Sequence, residues 1–430
     1  MEMIQPFFDK LHLRFKTNKI MDSTTVFPQN LTLEKNNTSF KTLLLGIPIP
    51  LYVVSICSAL VIIGVLWDIS WHMSIGRDGL FSAPHNAIYL GAALAGLISG
   101  YQVLKTSFFG NQEEKSKMVN FWGIFYSSLG GMFCIWGGFA AGTSAPFDDW
   151  WHNTYGLDVK IFSPPHAILG FGLISIQIGA MISVLATLNQ HEKIAYLSDN
   201  QNIARNNRLR NTFIFTAGMV MLTAFTFCTE FMGRWAMHRM SFYQIGAGFI
   251  PLFLLAFARA SKVKWGATYI AAIYMISLWV INTTLRMFPA EPLLGPIANH
   301  VTNFQTTGFP ILLVFPAIVF DYLRDKYSAK NDWILSVILG VSFVVAFFVI
   351  QWNAGLFLHE SPLSRNWFFH SDSWAYNNDP NAVFRYHYTG WGTPKTAYEW
   401  VIGFFVALVL GIVSSRVGLL WGNWMRKVQR

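Results

Sequence analysis

Charged side chains are scarce in this chain. Asp, Glu, Lys and Arg supply 12% of its 430 residues while 53% are hydrophobic, against roughly 25% charged for an average soluble domain. That balance excludes an ordinary water-soluble protein and is the composition of a membrane protein. Cysteine is nearly absent: Cys57, Cys134 and Cys228 all lie inside apolar segments, where each reads as a small buried thiol, so neither a disulfide framework nor a redox compartment is read from them. No low-complexity tract and no soluble domain is visible. The first 40 or so residues are polar and basic without an apolar signal core, so no cleavable signal peptide is expected. Phe7, Phe8, Leu11 and Phe15 fall at helical spacing, which suits a short interfacial helix; a disordered lead fits equally.

What the chain does have is long apolar runs of about 20 residues, the length that crosses a bilayer, from Leu43 to the C-terminus. Trp and Tyr gather near their ends as interface anchors. Ten spans are predicted, at about 43–68, 85–108, 119–142, 166–188, 212–232, 243–259, 266–285, 308–323, 333–352 and 399–422. Lys and Arg recur at every second connection. With Lys10, Arg14 and Lys19 inside, the same side receives Lys105 and Lys117, then Arg205 and Arg208, Lys262 and Lys264, Arg324 and Lys326, and finally Arg426 and Arg430, as the positive-inside rule requires. The net charge of +9 is therefore read as topology, and no nucleic-acid partner is expected. The fold class is all-α, a polytopic transmembrane bundle with both termini cytoplasmic. Three regions follow: an N-terminal segment 1–42, a membrane region 43–240, and a second membrane region 241–430 whose outer connection 353–398 carries Trp367, Trp374 and Trp391 and so reads as a packed loop. The 189–211 connection is the expected boundary between halves.

One pattern occurs twice. Residues 67–91 read WDISWHMSIGRDGLFSAPHNAIYLG and residues 147–172 read FDDWWHNTYGLDVKIFSPPHAILGFG. With one inserted residue they share Asp68/Asp148, Trp71/Trp151, His72/His152, Gly76/Gly156, Asp78/Asp158, Phe81/Phe162, Ser82/Ser163, Pro84/Pro165 and His85/His166. Asp68 and His72 are four apart at the outer end of the first span, so they share one helix face. Pro84 suits a helix start and places His85 facing back toward them, giving three candidate ligands from two helix ends. Asp148, His152 and His166 repeat the set at the junction of the third and fourth spans. A lone Asp-x-x-x-His also reads as a hydrogen-bonded pair capping a helix; recurrence of the whole set favours metal. Two imidazoles and a carboxylate suit non-haem iron, copper or zinc. Asp78 and Asp158 are candidates for orienting a ligand histidine through its far nitrogen, or for a turn or helix cap. Arg77 either pairs with a site carboxylate or faces water, and Asp149 is an alternative to Asp148 one residue off the face that His152 shares.

With these residues in place, the chain resembles the C subunit of the copper-containing membrane monooxygenases, the particulate methane and ammonia monooxygenase family. There an Asp-x-x-Trp-His run, an Arg-Asp, a Phe and a His at the next helix start form a copper site, matched in type and spacing by Asp68, Trp71, His72, Arg77, Asp78, Phe81 and His85. A second family site uses Asn-x-x-x-His and a His fourteen residues on; His152 and His166 keep that separation, and Asp148 stands where the Asn would be, which adds negative charge. Residues 260–430 are more weakly similar to the A subunit, through Trp265-Gly266-Ala267-Thr268, Phe309-Pro310 with Pro316 and Asp321, and Thr389-Gly390 with Thr393-Pro394. The resemblance implies copper, insertion of one oxygen atom of O₂ into a small substrate such as methane, ammonia or a short hydrocarbon, and reduction of the other atom to water. It also implies electrons from a quinol or an external carrier, a separate B-type subunit with cupredoxin domains, an oligomer, and a bacterial inner membrane with both motifs toward its outer face.

Other residues read more plainly. Glu230 and Arg234 are spaced to pair at a helix end, near His238 and Arg239, and Arg286 and Glu291 flank an outer connection as an ion pair would. His359, His370, Asp372 and His387 read as hydrogen-bonded or solvated groups rather than a further metal site. Two non-enzymatic readings compete with the oxygenase: a transporter or channel for a metal ion or small molecule, with the duplicated clusters lining a path, and a membrane scaffold whose metal is structural.

Overall fold

The structure, a computed structural model, describes residues 44–156, 163–190, 194–387 and 392–430. The N-terminal segment to Lys41, Asp158, Trp391 and the Thr389-Gly390 pair lie outside the described residues. Leu45–Arg430 forms a single unit built from eleven α-helices and one small hairpin among the described residues. Helix α1 (Ile49–Ser74) is followed by α2 (Ala83–Phe109), the one-turn α3 (Gln112–Ser116), and antiparallel strands β1 (Val119–Phe121) and β2 (Phe125–Ser127). Then come α4 (Leu129–Tyr155), α5 (Pro164–Asn189), α6 (Asp199–Met232), α7 (Met240–Ser261) and α8 (Gly266–Arg286). The chain ends with α9 (Val314–Lys326), α10 (Asp332–Glu360) and α11 (Ala397–Met425).

Eight of these helices, α1, α2, α5, α6, α7, α8, α10 and α11, are long and apolar enough to cross a membrane. The other two predicted spans differ in kind. Helix α4 has 27 residues, but its Gly, Ser, Thr and Trp content lowers its mean hydropathy. Helix α9 has 13 residues and reaches only about 20 Å at 1.5 Å per residue, short of the roughly 30 Å hydrocarbon core; residues 300–313 before it are not helical.

Boundaries move where local signals outweigh hydropathy. The predicted span 119–142 begins on the hairpin, which turns at Trp122 (φ 54°) and Gly123 (φ 75°), the paired positive φ of a type I′ turn. Helix α6 starts at Asp199 rather than near 212, because Ser198 and Gln201 form a capping box and carry the helix through a polar stretch. The 189–211 boundary thus shrinks to a short connection. Helix α10 continues to Glu360, so the connection to α11 is 361–396 and carries two 3-10 turns, Pro362–Ser364 and Val383–Arg385.

Glycine sets the crossing that matters for the site. A Cβ on Gly138 of α4 would sit 2.9 Å from the Ala92 carbonyl and 3.1 Å from Gly96 Cα of α2, so the two backbones meet with nothing between them, as small residues permit in membrane bundles. The helices run in opposite directions. His85 lies about three turns before Gly96, and Asp148 about three turns beyond Gly138, so both motifs reach the same end of the bundle.

The second half packs around aromatics. Phe213, Phe242, Tyr243, Tyr274, Phe320 and Phe347 are fully buried. Asp321 on α9 accepts from the Thr268 amide and hydroxyl, each at 2.8 Å, and from the Ala267 amide at 3.3 Å, capping the N-terminus of α8. The 361–396 connection is a packed structure: Asp372 takes a bidentate pair from Arg286 at 2.9 and 2.8 Å, and Arg286 lies over the Trp367 ring at 4.8 Å. Arg286 therefore pairs across space with Asp372 and not with Glu291, its neighbour in sequence.

Candidate metal centres

The first cluster forms where α1 ends and α2 begins. Asp68 and His72 stand one turn apart on α1. The helix then stops, and Gly76, at φ 99°, turns its carbonyl back onto His72, whose Nδ1 lies 2.9 Å from Gly76 O. Left-handed backbone favours glycine, and the space demands it too, since a Cβ there would meet Tyr376 Oη at 2.5 Å. Pro84 sits in the first turn of α2, and His85 beside it places Nδ1 3.0 Å from Gly79 O. Both rings are thus held by backbone carbonyls.

That anchoring decides the tautomer. A carbonyl only accepts, so each Nδ1 carries a hydrogen, and in a neutral ring Nε2 is then a bare lone pair. The Nε2 atoms face carboxylates: His85 Nε2 is 2.9 Å from Asp78 Oδ2 and 3.3 Å from Asp68 Oδ1, and His72 Nε2 is 3.7 Å from Asp78 Oδ2 and 3.9 Å from Asp68 Oδ2. Lone pairs and negative oxygens at such distances repel unless positive charge lies among them. Two species meet that need, protonated rings or a bound cation. Burial would push the Asp78 carboxyl up, but the hydrogen bond from His85 and the charges of His72 and His85 outweigh it and hold it below the ordinary carboxylate range.

A cation fits the space. Two ligands each about 2.1 Å from one ion are separated by at most about 4.2 Å, and every separation above falls inside that limit. Asp68, Asp78 and His85 together offer three ligand atoms within 4.8 Å of one another. Two carboxylates would balance a divalent charge. Asp68 Oδ1 is buried without a hydrogen-bond partner, which a metal bond would satisfy.

The second cluster repeats the arrangement at the junction of α4 and α5. Asp148 Oδ2 lies 3.5 Å from His152 Nε2 and Asp148 Oδ1 lies 3.4 Å from His166 Nε2. His152 Nδ1 is 3.3 Å from the carbonyl of Gly156, at φ 88°. The three offer ligand atoms within 4.8 Å, and Asp148 Oδ1 is again buried without a hydrogen-bond partner. The same orphaned atom recurs in both copies.

The structure therefore brings Asp68, His72 and His85 together, and likewise Asp148, His152 and His166. Of the supporting residues, Asp78 departs from its expected part, Arg77 faces water, one of the two parts expected for it, and Asp149 is not drawn into the cluster. Asp78 does not orient a histidine through its far nitrogen, because glycine carbonyls hold the Nδ1 atoms; it faces the same Nε2 atoms as Asp68. The Arg77 side chain is exposed, and among the described residues it makes no ion pair with a site carboxylate; its carbonyl accepts from Trp71 Nε1 at 3.2 Å. Asp149 is exposed and accepts from Asn153 at 3.3 Å. Sequence reasoning missed the glycine carbonyls, although the repeated Gly76/Gly156 pair was the available signal.

Two features outside the motif support the first cluster. The C-terminal end of α1 is tied to the second half: the Tyr376 amide donates to Met73 O at 3.0 Å, the Leu293 amide to Ile75 O at 2.8 Å, and the Gln305 amide to Ser74 Oγ at 2.6 Å. Between α2 and α4 lies an apolar hollow of about 280 Å³, walled by Phe81, Tyr89, Ala92, Ala141 and Pro146. The Tyr89 ring there is 5.9 Å from that of His85.

His359 and His370 are engaged elsewhere. His359 Nε2 lies 2.9 Å from Arg234 O, and His370 Nε2 3.1 Å from Thr283 Oγ1. Arg234, expected to pair with Glu230, sends its guanidinium to the Ser371 and Arg385 carbonyls at 2.6 and 3.3 Å. Among the described residues, no further group of acids, histidines and cysteines gathers as these two clusters do.

A scan against protein-family models and searches of curated proteins and of solved structures each return no match.

Proposed function

We propose that this integral membrane protein binds a metal ion at each duplicated cluster and serves as the membrane subunit of a copper-dependent monooxygenase-like complex. The observation that carries the reading is the carboxylate set against two imidazole Nε2 atoms, occurring twice, with the other ring nitrogens held by backbone carbonyls wherever the described residues include them. The resemblance of the motif residues supplies copper as the metal. Imidazole and carboxylate are donors that copper, iron and zinc all accept.

Bound copper would supply one-electron chemistry toward O₂. The chain's own groups prepare for it. Asp68 and Asp78 balance the ion's charge, His72 and His85 present Nε2, and the carbonyls of Gly76 and Gly79 keep the donor nitrogens unprotonated. The apolar hollow beside His85, walled by Phe81, Tyr89, Ala92, Ala141 and Pro146, suits a small apolar substrate arriving from the bilayer. Electrons would come from a quinol or an external carrier, through a cupredoxin-bearing partner subunit, in an oligomer.

In this reading the chain crosses a bacterial inner membrane ten times, α9 and the extended residues before it making one crossing together. Both termini are cytoplasmic and both clusters lie toward the outer face.

Electron paramagnetic resonance on the intact purified protein tests the proposal. The expected result is a type 2 copper signal with nitrogen hyperfine structure, one component of which disappears in His72→Ala and the other in His152→Ala. A protein free of redox-active metal would overturn it in favour of the transporter reading, and zinc alone would favour the structural scaffold.

A further inference from the structure

At the end of the bundle away from the clusters, one membrane helix carries a charge that the chain does not balance. Helix α5 runs from His166 of the second cluster to Asn189, whose side-chain amide donates to the Met425 and Val428 carbonyls at 3.1 and 2.9 Å. The C-terminal end of α11 therefore lies at that far end. Arg416 stands nine residues before Met425, about 14 Å along the helix, in a segment long and apolar enough to cross a membrane.

The acids near it are committed to other cations. Asp332 receives Arg259 at 2.9 Å on one oxygen and Asn423 at 2.9 Å on the other. Asp321 pairs with Arg324 at 2.9 Å and Asp325 with Lys264 at 3.7 Å. Arg416 forms no ion pair among the described residues, and its Nε and Nη1 are buried without a hydrogen-bond partner. An arginine keeps its proton inside a protein, and a charge at membrane depth is costly unless it is countered. The counter-charge therefore comes from outside the chain.

The surroundings say what supplies it. The guanidinium lies 4.6 Å from the Trp333 ring, and Trp333, in the first turn of α10, is 65% exposed, placed as an interface anchor at the level of lipid headgroups. A Cβ on Gly340 would meet Ile412 N at 2.6 Å, which fixes the register of α10 against α11. From that contact Trp333 is seven residues toward the far end and Arg416 four, so the arginine side chain climbs about 4–5 Å to reach the ring. On the membrane side of the pair, Val337 and Val341 of α10 and Val413 of α11 are exposed, an apolar surface that suits an acyl chain.

We infer that Arg416 and Trp333 form a binding site for a phospholipid of net negative charge, its phosphate on the guanidinium and an acyl chain along the valines. A zwitterionic lipid carries its own cation beside the phosphate and balances Arg416 less well. The site stands apart from both metal clusters and from the reaction proposed for them.

Native mass spectrometry of the full-length protein, delipidated in detergent and titrated with phosphatidylglycerol or phosphatidylcholine of identical acyl chains, tests this. The expected result is one phosphatidylglycerol per chain, held about fivefold or more tighter than phosphatidylcholine, the scale of one basic residue against an anionic headgroup. Arg416→Gln should remove the preference. Lys427→Gln, which removes an exposed charge at the same end, should keep it, and excess inorganic phosphate should not displace the lipid. If Arg416→Gln does not fold, Trp333→Leu should still lower phosphatidylglycerol affinity with no change of net charge. Equal binding of the two lipids would overturn the inference in favour of a carboxylate from a partner protein, and displacement by inorganic phosphate in favour of a free anion. A preference that survives Arg416→Gln, or that Lys427→Gln lowers as much, would overturn it in favour of general surface charge.

Discussion

Gly76 and Gly156 occupy the same place in the two motif copies and do the same work, turning a carbonyl onto the histidine one turn back. Their surroundings differ, and so should the cost of replacing them. A side chain at a φ as positive as theirs costs on the order of 1–3 kcal/mol, and Gly156, with ψ −179°, stands in a region kept almost wholly for glycine. Gly156→Ala should lose about that much, because nothing lies within 4 Å of the added Cβ. Gly76→Ala also drives its Cβ to 2.5 Å from Tyr376 Oη and should lose more, by a further 1–3 kcal/mol or so of overpacking; paired thermal melts in one detergent measure the difference. Asp78→Asn removes one of the two carboxylates that face the Nε2 atoms and should weaken metal binding at the first cluster by at least about 10–100-fold, the scale for groups that only support a metal site, and leave the second cluster unchanged in chelator titrations.

His370 gives a pH dependence. Burial, reinforced by the Arg286 charge, pushes its pKa down to about 4, against about 6.5 for an unfolded histidine. Between those values the unfolded chain holds the extra proton, so stability is complete above about pH 6.5 and falls as pH drops toward 4. Asp372 is held below the ordinary carboxylate range, burial being outweighed by Arg286; its contribution is present at neutral pH and is lost only in stronger acid, as pH falls through the folded value. Melting curves of metal-free protein from pH 7.5 to 4.5 should show the decline, and His370→Gln should flatten it.

At the scale of helices, the sequence was most legible where periodicity and hydropathy agreed. The spacing of Asp68, His72, Pro84 and His85 placed three side chains on two helix ends, and the fold joins them. Reading failed where other forces decide. Asp199–Asn211 looked like a loop because its side chains are polar, yet the Ser198–Gln201 cap starts the helix there. Asp78 was given a supporting part because sequence does not reveal which ring nitrogen a backbone carbonyl will take. Arg286 found Asp372 through a fold that brings residues 86 positions apart together. The close crossing of α2 and α4 carries a prediction of its own. Gly138→Leu should force the two helices apart at Gly96, cost about 1–3 kcal/mol through overpacking, and broaden the metal spectra of both clusters, since both hang on these helices.

The molecule as a whole carries two clusters at one end of one bundle, the first of them braced by the second half through Leu293, Gln305 and Tyr376. Residues 241–430 therefore hold the first cluster in shape as well as adding helices, a relation invisible in the motif itself. Elemental analysis of the purified, intact protein tests the central claim most directly. The account predicts two equivalents of redox-active metal per chain, one in Asp68→Asn or Asp148→Asn, and none in the double variant. Wild-type protein that folds and stays free of metal after incubation with copper, or that keeps both equivalents in the double variant, would contradict it.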